Sequence, residues 1–346
     1  MDIYIPPGVS ESTRTVVFIH GGAWRNGSKA RTMPHCTKLY KEGFVVVGIN
    51  YRLSGDGIFP AQIFDCKAAI RYLKTNASKY HIDTCNIGVT GTSAGGHLVA
   101  LLGTSNGEPS LEGLHLGNTG VSSDVHAVAD FFGPTDFLQM DLYPSPNCDN
   151  PMKHDTVTSP ESQLVGCWIS TCPSRVAEAN PLSYINGNEP PFSIHHGDAD
   201  CLVPVHQSII LHDSLMAAGQ NSSLTIYPNG GHGNFINASV IGSMVSFFKN
   251  TLNNDCSQNT GISQLNKKKP SLRIYPNPVK DNFTVQGAEN KIYKAQIYNN
   301  LGQLVKVVEN YTPGYPIDLS DRPSGLYVLS MMSPALNEIP LKILKD

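Results

Sequence analysis

The sequence predicts an α/β fold, a doubly wound and mostly parallel sheet, followed by a small all-β sandwich. Short apolar runs alternate with helical patterns over residues 1–253, which is typical of a parallel sheet covered on both faces. A polar segment without apolar periodicity follows over residues 254–270 and indicates a linker. Over residues 271–346 the strand candidates are short, alternating and separated by turn residues, which favours a β-sandwich.

The predicted strands of the first domain are apolar runs bounded by Gly, Pro or Asn. These runs are TVVFIH, GFVVVGIN, NIGVTG, HAVADFF, PFSIHH and SLTIYP. The predicted helices are PAQIFDCKAAIRYLKTNA, AGGHLVALLG, VHQSIILHDSLMAAG and NASVIGSMVSFFKNTL. In the second domain the predicted strands are NFTVQG, KAQIYNN, QLVKVV, GLYVLSMM and PLKILK.

Charge and hydropathy exclude several classes of partner. The net charge of -3 and the pI near 6.4 argue against a surface for nucleic acid or for an anionic membrane. The only basic run, Lys267 to Lys269, is interpreted as part of a solvated linker. No stretch approaches the roughly 18 apolar residues of a transmembrane helix.

The eight cysteines favour an exported protein. They form no paired C-x-x-C, which argues against a structural zinc site. Cys148, Cys167 and Cys172 lie in a loop-rich stretch, where disulfides would suit an exported enzyme. The N-terminal MDIYIPPGVSE nevertheless lacks the basic start, apolar core and cleavage site of a signal peptide. Either the protein is cytoplasmic, or the chain begins downstream of its true start.

The stretch VTGTSAGGHLVALLG predicts a nucleophile at Ser93. Its G-x-S-x-G motif falls between a predicted strand and a predicted helix, a context more specific than the five letters. A sharp strand-to-helix turn needs glycines because a Cβ there would collide with the neighbouring backbone. The turn exposes the serine hydroxyl, and the N-terminus of the next helix favours developing negative charge. The alternative is a glycine-rich turn with an ordinary serine.

A serine hydroxyl needs a base to take its proton and an acid to orient that base. The loops after two later strands supply both, in HHGDADCLVP and YPNGGHG. In the first, the spacing H-G-x-x-D-x-x-V-P selects Asp200 over Asp198 as the acid. In the second, His232 follows a strand in a glycine-rich loop, and we assign it as the base. The other histidine candidates for the base lie in helical patterns or at a strand end, where a packing, solvated or structural role is favoured over catalysis. They are His97, His206, His212, His195 and His196.

The stretch FIHGGAWRNGS places glycines at the point where a strand ends. Acyl transfer puts negative charge on a carbonyl oxygen, so fixed N–H donors must already face that position. We predict an oxyanion hole formed by the amides of Gly22, Ala23 and Ala94, with His20 as a brace for the loop. Trp24 is predicted to bind substrate, with packing at the edge of the core as the alternative.

These motifs resemble the hormone-sensitive-lipase-like branch of the α/β hydrolases, and among them bacterial esterases grouped with feruloyl and acetyl-xylan esterases. The matching stretches cover nearly all of residues 1–250: DIYIP, VVFIHGGAWRNGSK, NYRLS, FPAQIFDCKAAIRYLK, IGVTGTSAGGHLVALLG, DFFGPTDF, ANPLSYI, PPFSIHHGDADCLVP and GGHG. The resemblance implies a serine carboxylesterase without a metal or other cofactor. It does not specify the ester.

The residues after about 270 resemble the C-terminal sorting domain of type IX secretion, through IYPNPVKDNFTV, AQIYNNLGQLV, DLSDRPSGLYVLS and the terminal KILKD. This resemblance implies the type IX secretion machinery as a partner and a secreted or cell-surface location, in agreement with the cysteines. Because such proteins normally carry a signal peptide, we expect the chain to be truncated at its N-terminus. An edge strand is also expected before DIYIP.

Residues 135–190 lie between two predicted strands and are rich in Pro, Asn, Ser and Cys. An insertion at this point of the fold lies above the active site, and Trp168 is predicted to bind the alcohol side of the substrate. A plain surface loop is the alternative. The segment has no long apolar face, which argues against a lipase with a membrane-docking lid.

The sequence therefore predicts a secreted serine esterase that releases acetyl or hydroxycinnamoyl groups from plant polysaccharide. One alternative is a serine peptidase, because H-G-x-x-D-x-x-V-P also occurs in prolyl-peptidase-like hydrolases. The HGGAW loop and the absence of a preceding propeller-sized domain favour the esterase. The other alternative is a surface-binding module without catalysis, against which the complete set of catalytic residue types argues.

Overall fold

The computed structural model of the chain describes residues 1–254, 273–286, 293–299, 303–333 and 336–345. The chain separates into two units, Met1–Thr260 and Gly261–Asp346. The predicted linker, residues 254–270, lies outside the described residues apart from Asn254. None of the described helices is both long and apolar enough to cross a bilayer.

A seven-stranded sheet forms the centre of the first unit. Its strands are β1 (Asp2–Tyr4), β2 (Thr13–Ile19), β3 (Val45–Ile49), β4 (Ile82–Thr92), β5 (Ala127–Phe131), β6 (Phe192–Gly197) and β7 (Ser222–Tyr227). Their order is β1-β3-β2-β4-β5-β6-β7, and every neighbouring pair is parallel except β1 with β3. The predicted mostly parallel sheet is confirmed, and β1 is a short edge strand that the apolar pattern did not predict.

The helices that connect these strands cover both faces of the sheet. They are α1 (Thr32–Lys41), α2 (Ala61–Thr75), α3 (Ala77–Tyr80), α4 (Ala94–Thr104), α5 (Pro160–Val165), α6 (Pro173–Ala179), α7 (His206–Ala217) and α8 (Ala238–Thr251). Short 3₁₀ turns cover Lys29–Arg31, Pro109–Leu111, Leu114–Leu116, Phe137–Gln139, Ile169–Thr171 and Pro181–Tyr184. The four predicted helices correspond to α2, α4, α7 and α8.

Helix α1 is absent from the sequence predictions, and it contains a proline in its first turn. Pro34 is the third residue of this helix. The first-turn amides of a helix have no intrahelical acceptor, so a proline there removes no hydrogen bond. Pro34 is therefore compatible with the helix.

Alternate side chains of the sheet enter two apolar clusters, one on each face. Val17 and Ile19 of β2 belong to the larger cluster, which α2, α4 and α7 also enter. Val16 and Phe18 belong to the other cluster, with α1 and α8. This division follows from the two-residue period of a strand. Helix α4 lies deepest, since each of its residues is buried, and it provides a rigid support for the turn that precedes it.

The order in which the chain adds strands to the sheet reverses between β2 and β4. From β2 it moves to β3 on one side, and it then returns to β4 on the other side. Ile19 at the end of β2 is paired with Gly91 near the end of β4. Open α/β sheets bind ligands beyond the carboxyl ends of the strands at such a switch point, so the loops after β2 and β4 are where a site is expected.

The second unit consists of antiparallel strands, which confirms the predicted all-β domain. They are β8 (Arg273–Tyr275), β9 (Asn282–Gln286), β10 (Tyr293–Asn299), β11 (Leu304–Tyr311), β12 (Ile317–Asp318), β13 (Gly325–Ser333) and β14 (Leu336–Lys345). They form two sheets, β11-β10-β13-β14 and β12-β9-β8. Phe283 and Val285 of one sheet share an apolar core with Ile297 and Leu329 of the other, as in a β-sandwich.

Candidate active site

Ser93 occupies a strained turn between β4 and α4. Its backbone has φ 56° and ψ −123°, a conformation that costs a non-glycine residue on the order of 1–3 kcal/mol. The Ser93 amide donates to the carbonyl of Phe131 at 2.9 Å, and the Ser93 carbonyl accepts from the amide of His97 at 3.0 Å. These bonds hold the strained residue from both sides, so the predicted nucleophile lies where a nucleophile elbow requires it.

The glycines around Ser93 are required by close packing of backbone on backbone. A Cβ at Gly91 would lie 2.3 Å from the Gly95 carbonyl oxygen. A Cβ at Gly95 would lie 2.1 Å from the carbonyl oxygen of Ile19, at the end of β2. No side chain fits at either position, and the first turn of α4 therefore lies directly against the two central strands.

Asp200 and His232 are brought together from the loops after β6 and β7. Nδ1 of His232 lies 2.7 Å from Oδ2 of Asp200. A carboxylate can only accept, so Nδ1 donates the proton, and Nε2 is left as the basic nitrogen. The His232 side chain is 22% exposed and that of Asp200 is fully buried. The rival carboxylate Asp198 instead accepts from the amide of Asn229 at 2.6 Å.

The Asp200 carboxylate is held ionised by its hydrogen bonds. Burial by itself would raise its pKa, but hydrogen bonds from His196 and His232 outweigh burial and lower the pKa below its ordinary value. The other carboxylate oxygen, Oδ1, accepts from the amides of Leu202 at 2.8 Å and Val203 at 3.0 Å. The acid can therefore orient His232 and remain charged at neutral pH.

His196 is a support for Asp200 rather than a second base. Its Nε2 lies 2.9 Å from the Val203 carbonyl oxygen and 3.4 Å from Oδ2 of Asp200. Its Nδ1 lies 2.7 Å from the Ser208 hydroxyl. The ring is fully enclosed, so it cannot reach a substrate. The only sequence signal for this role was its place at the start of H-G-x-x-D-x-x-V-P.

Phe132 lies between the Ser93 turn and His232. Its ring centroid lies 4.6 Å from that of His232, and it directly follows Phe131, which accepts the Ser93 amide. The described residues include no hydrogen bond between the Ser93 hydroxyl and His232. Such bonds are often long in the absence of substrate and shorten in the complex.

The loop after β2 lies against the nucleophile with unusual backbone angles. Gly22, Ala23 and Trp24 all have positive φ, at 122°, 55° and 54°. A Cβ at Gly21 would lie 3.2 Å from Cβ of Ser93, so the loop and the elbow are in contact. His20 is buried behind the loop, where its Nδ1 lies 2.8 Å from the Gly21 carbonyl oxygen.

The predicted oxyanion donors are available at this contact. Within the described part of the chain, the amides of Gly22 and Ala23 donate no hydrogen bond to a protein acceptor. Ala94 is the first residue of α4, and the amide at that position of a helix has no intrahelical acceptor. These three N–H groups, on the residues that follow Gly21 and Ser93, are therefore available to bind an anionic oxygen.

The two predicted substrate-binding tryptophans have different environments. Trp24 is 1% exposed, and its ring is edge-on to His97 and Phe137 at centroid distances of 5.2 and 5.6 Å. This burial favours the packing alternative for Trp24. Trp168 is 41% exposed and lies within the short loop closed by the Cys167–Cys172 disulfide, so substrate binding by Trp168 stays a prediction.

The insertion over residues 135–190 contacts the site at two places. Nη2 of Arg25, next to Trp24, donates to the carbonyl of Thr158 at 2.5 Å. A second disulfide joins Cys148 to Cys201, the residue that follows Asp200. The pairing of these two cysteines was left open at the level of the sequence.

Asp130 is a further carboxyl group near the elbow that the sequence analysis did not single out. It is fully buried, and its Oδ1 accepts from the amide of Gly133 at 3.0 Å. The same oxygen lies 2.3 Å from the position that a Cβ at Gly96 would occupy, beneath the first turn of α4. Burial raises the pKa of Asp130 to about 7.

Known proteins similar to this chain include several esterases. Esterase LipQ of Mycobacterium tuberculosis is 31% identical over 250 residues, which cover 71% of this chain and 56% of LipQ. The chain spans about half the length of the curated relatives it matches.

Two solved structures resemble the chain over its first unit. A bifunctional GH43-CE protein of Bacteroides eggerthii has 38% identity and a TM-score of 0.67, over 72% of this chain and 33% of that one. A truncated form of a carbohydrate esterase from gut microbiota has 34% identity and a TM-score of 0.66, over 73% of this chain and 90% of that one.

Two family models match separate parts of the chain. Residues 273–344 match the secretion system C-terminal sorting domain, in agreement with the second unit of the fold. Residues 1–215, more than half of the chain, match the BD-FAE model. The protein therefore belongs to the BD-FAE family of α/β-hydrolase esterases and carries a C-terminal sorting domain.

Proposed function

We propose that the protein is an exported serine carboxylic-ester hydrolase that removes acetyl or hydroxycinnamoyl groups from plant polysaccharide. The observation that carries the proposal is the 2.7 Å hydrogen bond between His232 and Asp200, at the same edge of the sheet as the strained Ser93. A base oriented by a buried carboxylate, at the same edge of the sheet as a half-buried serine nucleophile, is the arrangement that acyl transfer needs.

In the proposed acylation step, Nε2 of His232 takes the Ser93 proton as the hydroxyl oxygen attacks the ester carbonyl. The carbonyl oxygen becomes negative and accepts hydrogen bonds from the amides of Gly22, Ala23 and Ala94. Each such donor contributes about 3 kcal/mol to transition-state stabilisation in a preorganised site. The imidazolium then gives its proton to the departing alcohol, and the acyl group remains on Ser93.

Deacylation repeats these roles with water as the nucleophile. His232 takes a proton from the water, the same amides bind the second oxyanion, and the Ser93 oxygen leaves with the proton. The products are a carboxylic acid and the free enzyme. The ionised Asp200 stabilises the imidazolium in both steps, and the reaction as written needs no cofactor.

The substrate class is supported by three features. The solved structures similar to the first unit include a carbohydrate esterase and a bifunctional GH43-CE protein. The sorting domain supports export through the type IX secretion machinery to the medium or the cell surface, where polysaccharide is met. The exposed Trp168 supplies an aromatic face of the kind that packs on sugar rings.

The test is hydrolysis of p-nitrophenyl acetate, methyl ferulate and acetylated xylan by the purified protein. Ser93→Ala is expected to lower kcat by at least about 10⁴-fold, whereas the matched variant Ser246→Ala, at an exposed position of α8, should leave it unchanged. Hydrolysis of xylan acetate or ferulate that disappears only in Ser93→Ala supports the proposal. A folded protein inactive on all three esters would reject it and favour a peptidase or a binding module.

A further inference from the structure

The loop that carries Asp200 has no regular secondary structure of its own. It follows β6 as a series of bends before α7 begins at His206, and Leu202 within it is 48% exposed. The carboxylate nevertheless depends on this stretch, because the amides of Leu202 and Val203 donate to its Oδ1. A shift of the loop would therefore move the catalytic acid.

Residues 145–152 of the insertion hold this loop from outside. The Cys148–Cys201 disulfide joins the two segments with a Cα–Cα distance of 5.4 Å, directly beside Asp200. The Met152 amide donates to the Cys201 carbonyl at 2.8 Å. We refer to residues 145–152 as the acid clamp.

The acid clamp also holds the loop on both sides of the disulfide. The Asn147 amide donates to the Asp198 carbonyl at 3.3 Å, two residues before the acid. The Ser145 hydroxyl, which is 3% exposed, accepts from the amide of Val205 at 2.9 Å. The contacts thus extend from Asp198 to Val205, with Asp200 between them.

The second disulfide of the insertion provides an internal comparison. Cys167 and Cys172 are five residues apart, whereas Cys148 and Cys201 are separated by 53. The backbone hydrogen bonds of residues 167–172 stay within the insertion: the Cys167 amide donates to Ser162, and the Cys172 amide donates to Ile169. The Cys167–Cys172 disulfide therefore closes a local loop and has no bond to the residues that carry the acid.

We propose that the Cys148–Cys201 disulfide and Ser145 are positioning residues for catalysis, which fix the Asp200 carboxylate against His232. This inference rests on the proposed function, in which Asp200 orients the base. Loosening the clamp leaves the nucleophile, the oxyanion amides and the substrate surface in place. It therefore lowers kcat, which depends on the orientation of His232, more than it changes KM.

The experiment compares Cys148→Ala/Cys201→Ala and Ser145→Ala with the matched control Cys167→Ala/Cys172→Ala. Kinetics on p-nitrophenyl acetate are measured well below the lowest unfolding temperature of the set. For a displacement near 1 Å, we expect kcat of the Cys148 pair variant to fall about 10- to 100-fold, with KM within about twofold. The kcat of Ser145→Ala should fall less. The control pair, whose loop carries Trp168, should keep the wild-type kcat even where its KM changes.

A double-mutant cycle separates positioning from general stability. In an Asp200→Asn background the clamp has no charged acid to orient, so breaking the disulfide should cause no further loss of kcat. The inference is overturned if breaking the disulfide lowers kcat by the same factor in the Asp200→Asn background as in the wild type. It is also overturned if the control pair loses as much kcat as the Cys148 pair variant. If the Cys148 pair variant fails to fold, Ser145→Ala in the same cycle decides by the same criteria.

The cycle also distinguishes this inference from the proposed function. If Asp200→Asn alone costs less than about tenfold in kcat, Asp200 is not the catalytic acid, and the proposed mechanism and the clamp's role fail together. A loss near the 10⁴-fold seen for a triad aspartate, combined with unchanged kcat in both clamp variants, rejects only the positioning role.

Discussion

Replacement of Gly95 by alanine would place a methyl group between α4 and the end of β2. The added Cβ would lie 2.1 Å from the Ile19 carbonyl oxygen and 2.7 Å from that of His20. Both neighbours are backbone carbonyl oxygens, one at the end of β2 and one directly after it, so neither can rotate away as a side chain would. Because the closest ordinary C···O contacts are about 3.3 Å, the first turn of α4 must move outward by about 1 Å.

That displacement has separate effects on catalysis and on stability. The first turn of α4 carries the Ala94 amide and follows Ser93 directly, so the proposed nucleophile and one proposed oxyanion donor both move. A misplacement of this size costs about 100-fold in kcat, equivalent to about 2.7 kcal/mol. Overpacking at a buried position also lowers the free energy of unfolding by about 1–3 kcal/mol.

Gly103 in the same helix supplies the control. A Cβ there would lie 2.6 Å from side-chain atoms of Phe192 and Val128, so Gly103→Ala is also overpacked. It lies at the far end of α4, and its cost should be confined to stability. The assay combines kcat and KM on p-nitrophenyl acetate with thermal unfolding of both variants. The reasoning is refuted if Gly95→Ala keeps kcat within about twofold, or if Gly103→Ala loses as much activity.

Two further substitutions test buried charge. Because folding raises the pKa of Asp130 to about 7, the contribution of Asp130 to the free energy of unfolding falls as the pH rises from about 4 to 7. Asp130→Asn cannot bind this proton. The melting temperature of the variant minus that of the wild type should therefore increase from about pH 4 to 7 and then level off. A difference that does not change with pH would contradict the raised pKa of Asp130. Glu112 pairs with the buried Lys67 at 2.7 Å and Arg71 at 3.3 Å. Glu112→Gln removes the counter-ion and should cost about 3–5 kcal/mol of unfolding free energy in urea titrations, and a loss below 1 kcal/mol would show that the cations need no carboxylate.

The strands and the positions of the catalytic loops were predictable because each depends on local sequence. An apolar run that ends near a glycine indicates where a strand stops, and it therefore places the next residues in the loop after that strand. Gly91 located Ser93 in this way. The spacing around Asp200 distinguished it from Asp198 without any coordinates, and the structure brings Asp200 to His232. These features need only residues close together in the chain.

The features that were missed depend on residues far apart in the chain. The pairing of Cys148 with Cys201 requires the insertion to fold back over the acid loop, which no local pattern records. The same holds for Trp24, whose neighbours His97 and Phe137 come from separate elements. The support that His196 gives Asp200 also depends on Ser208 in α7.

The positive φ angles at Ser93, Ala23 and Trp24 have a consequence for attempts to make the enzyme more heat-resistant. Each non-glycine residue with such a positive φ angle destabilises the native state by on the order of 1–3 kcal/mol. A substitution that removes the backbone strain would recover this free energy. Glycine at Ala23 would recover part of it, but it would also free the amides that the strain holds in place. Screens for thermostability alone would therefore favour changes that damage this site, a conflict known from other strained active sites. Stabilising substitutions are better sought in the exposed loops away from β2 and β4.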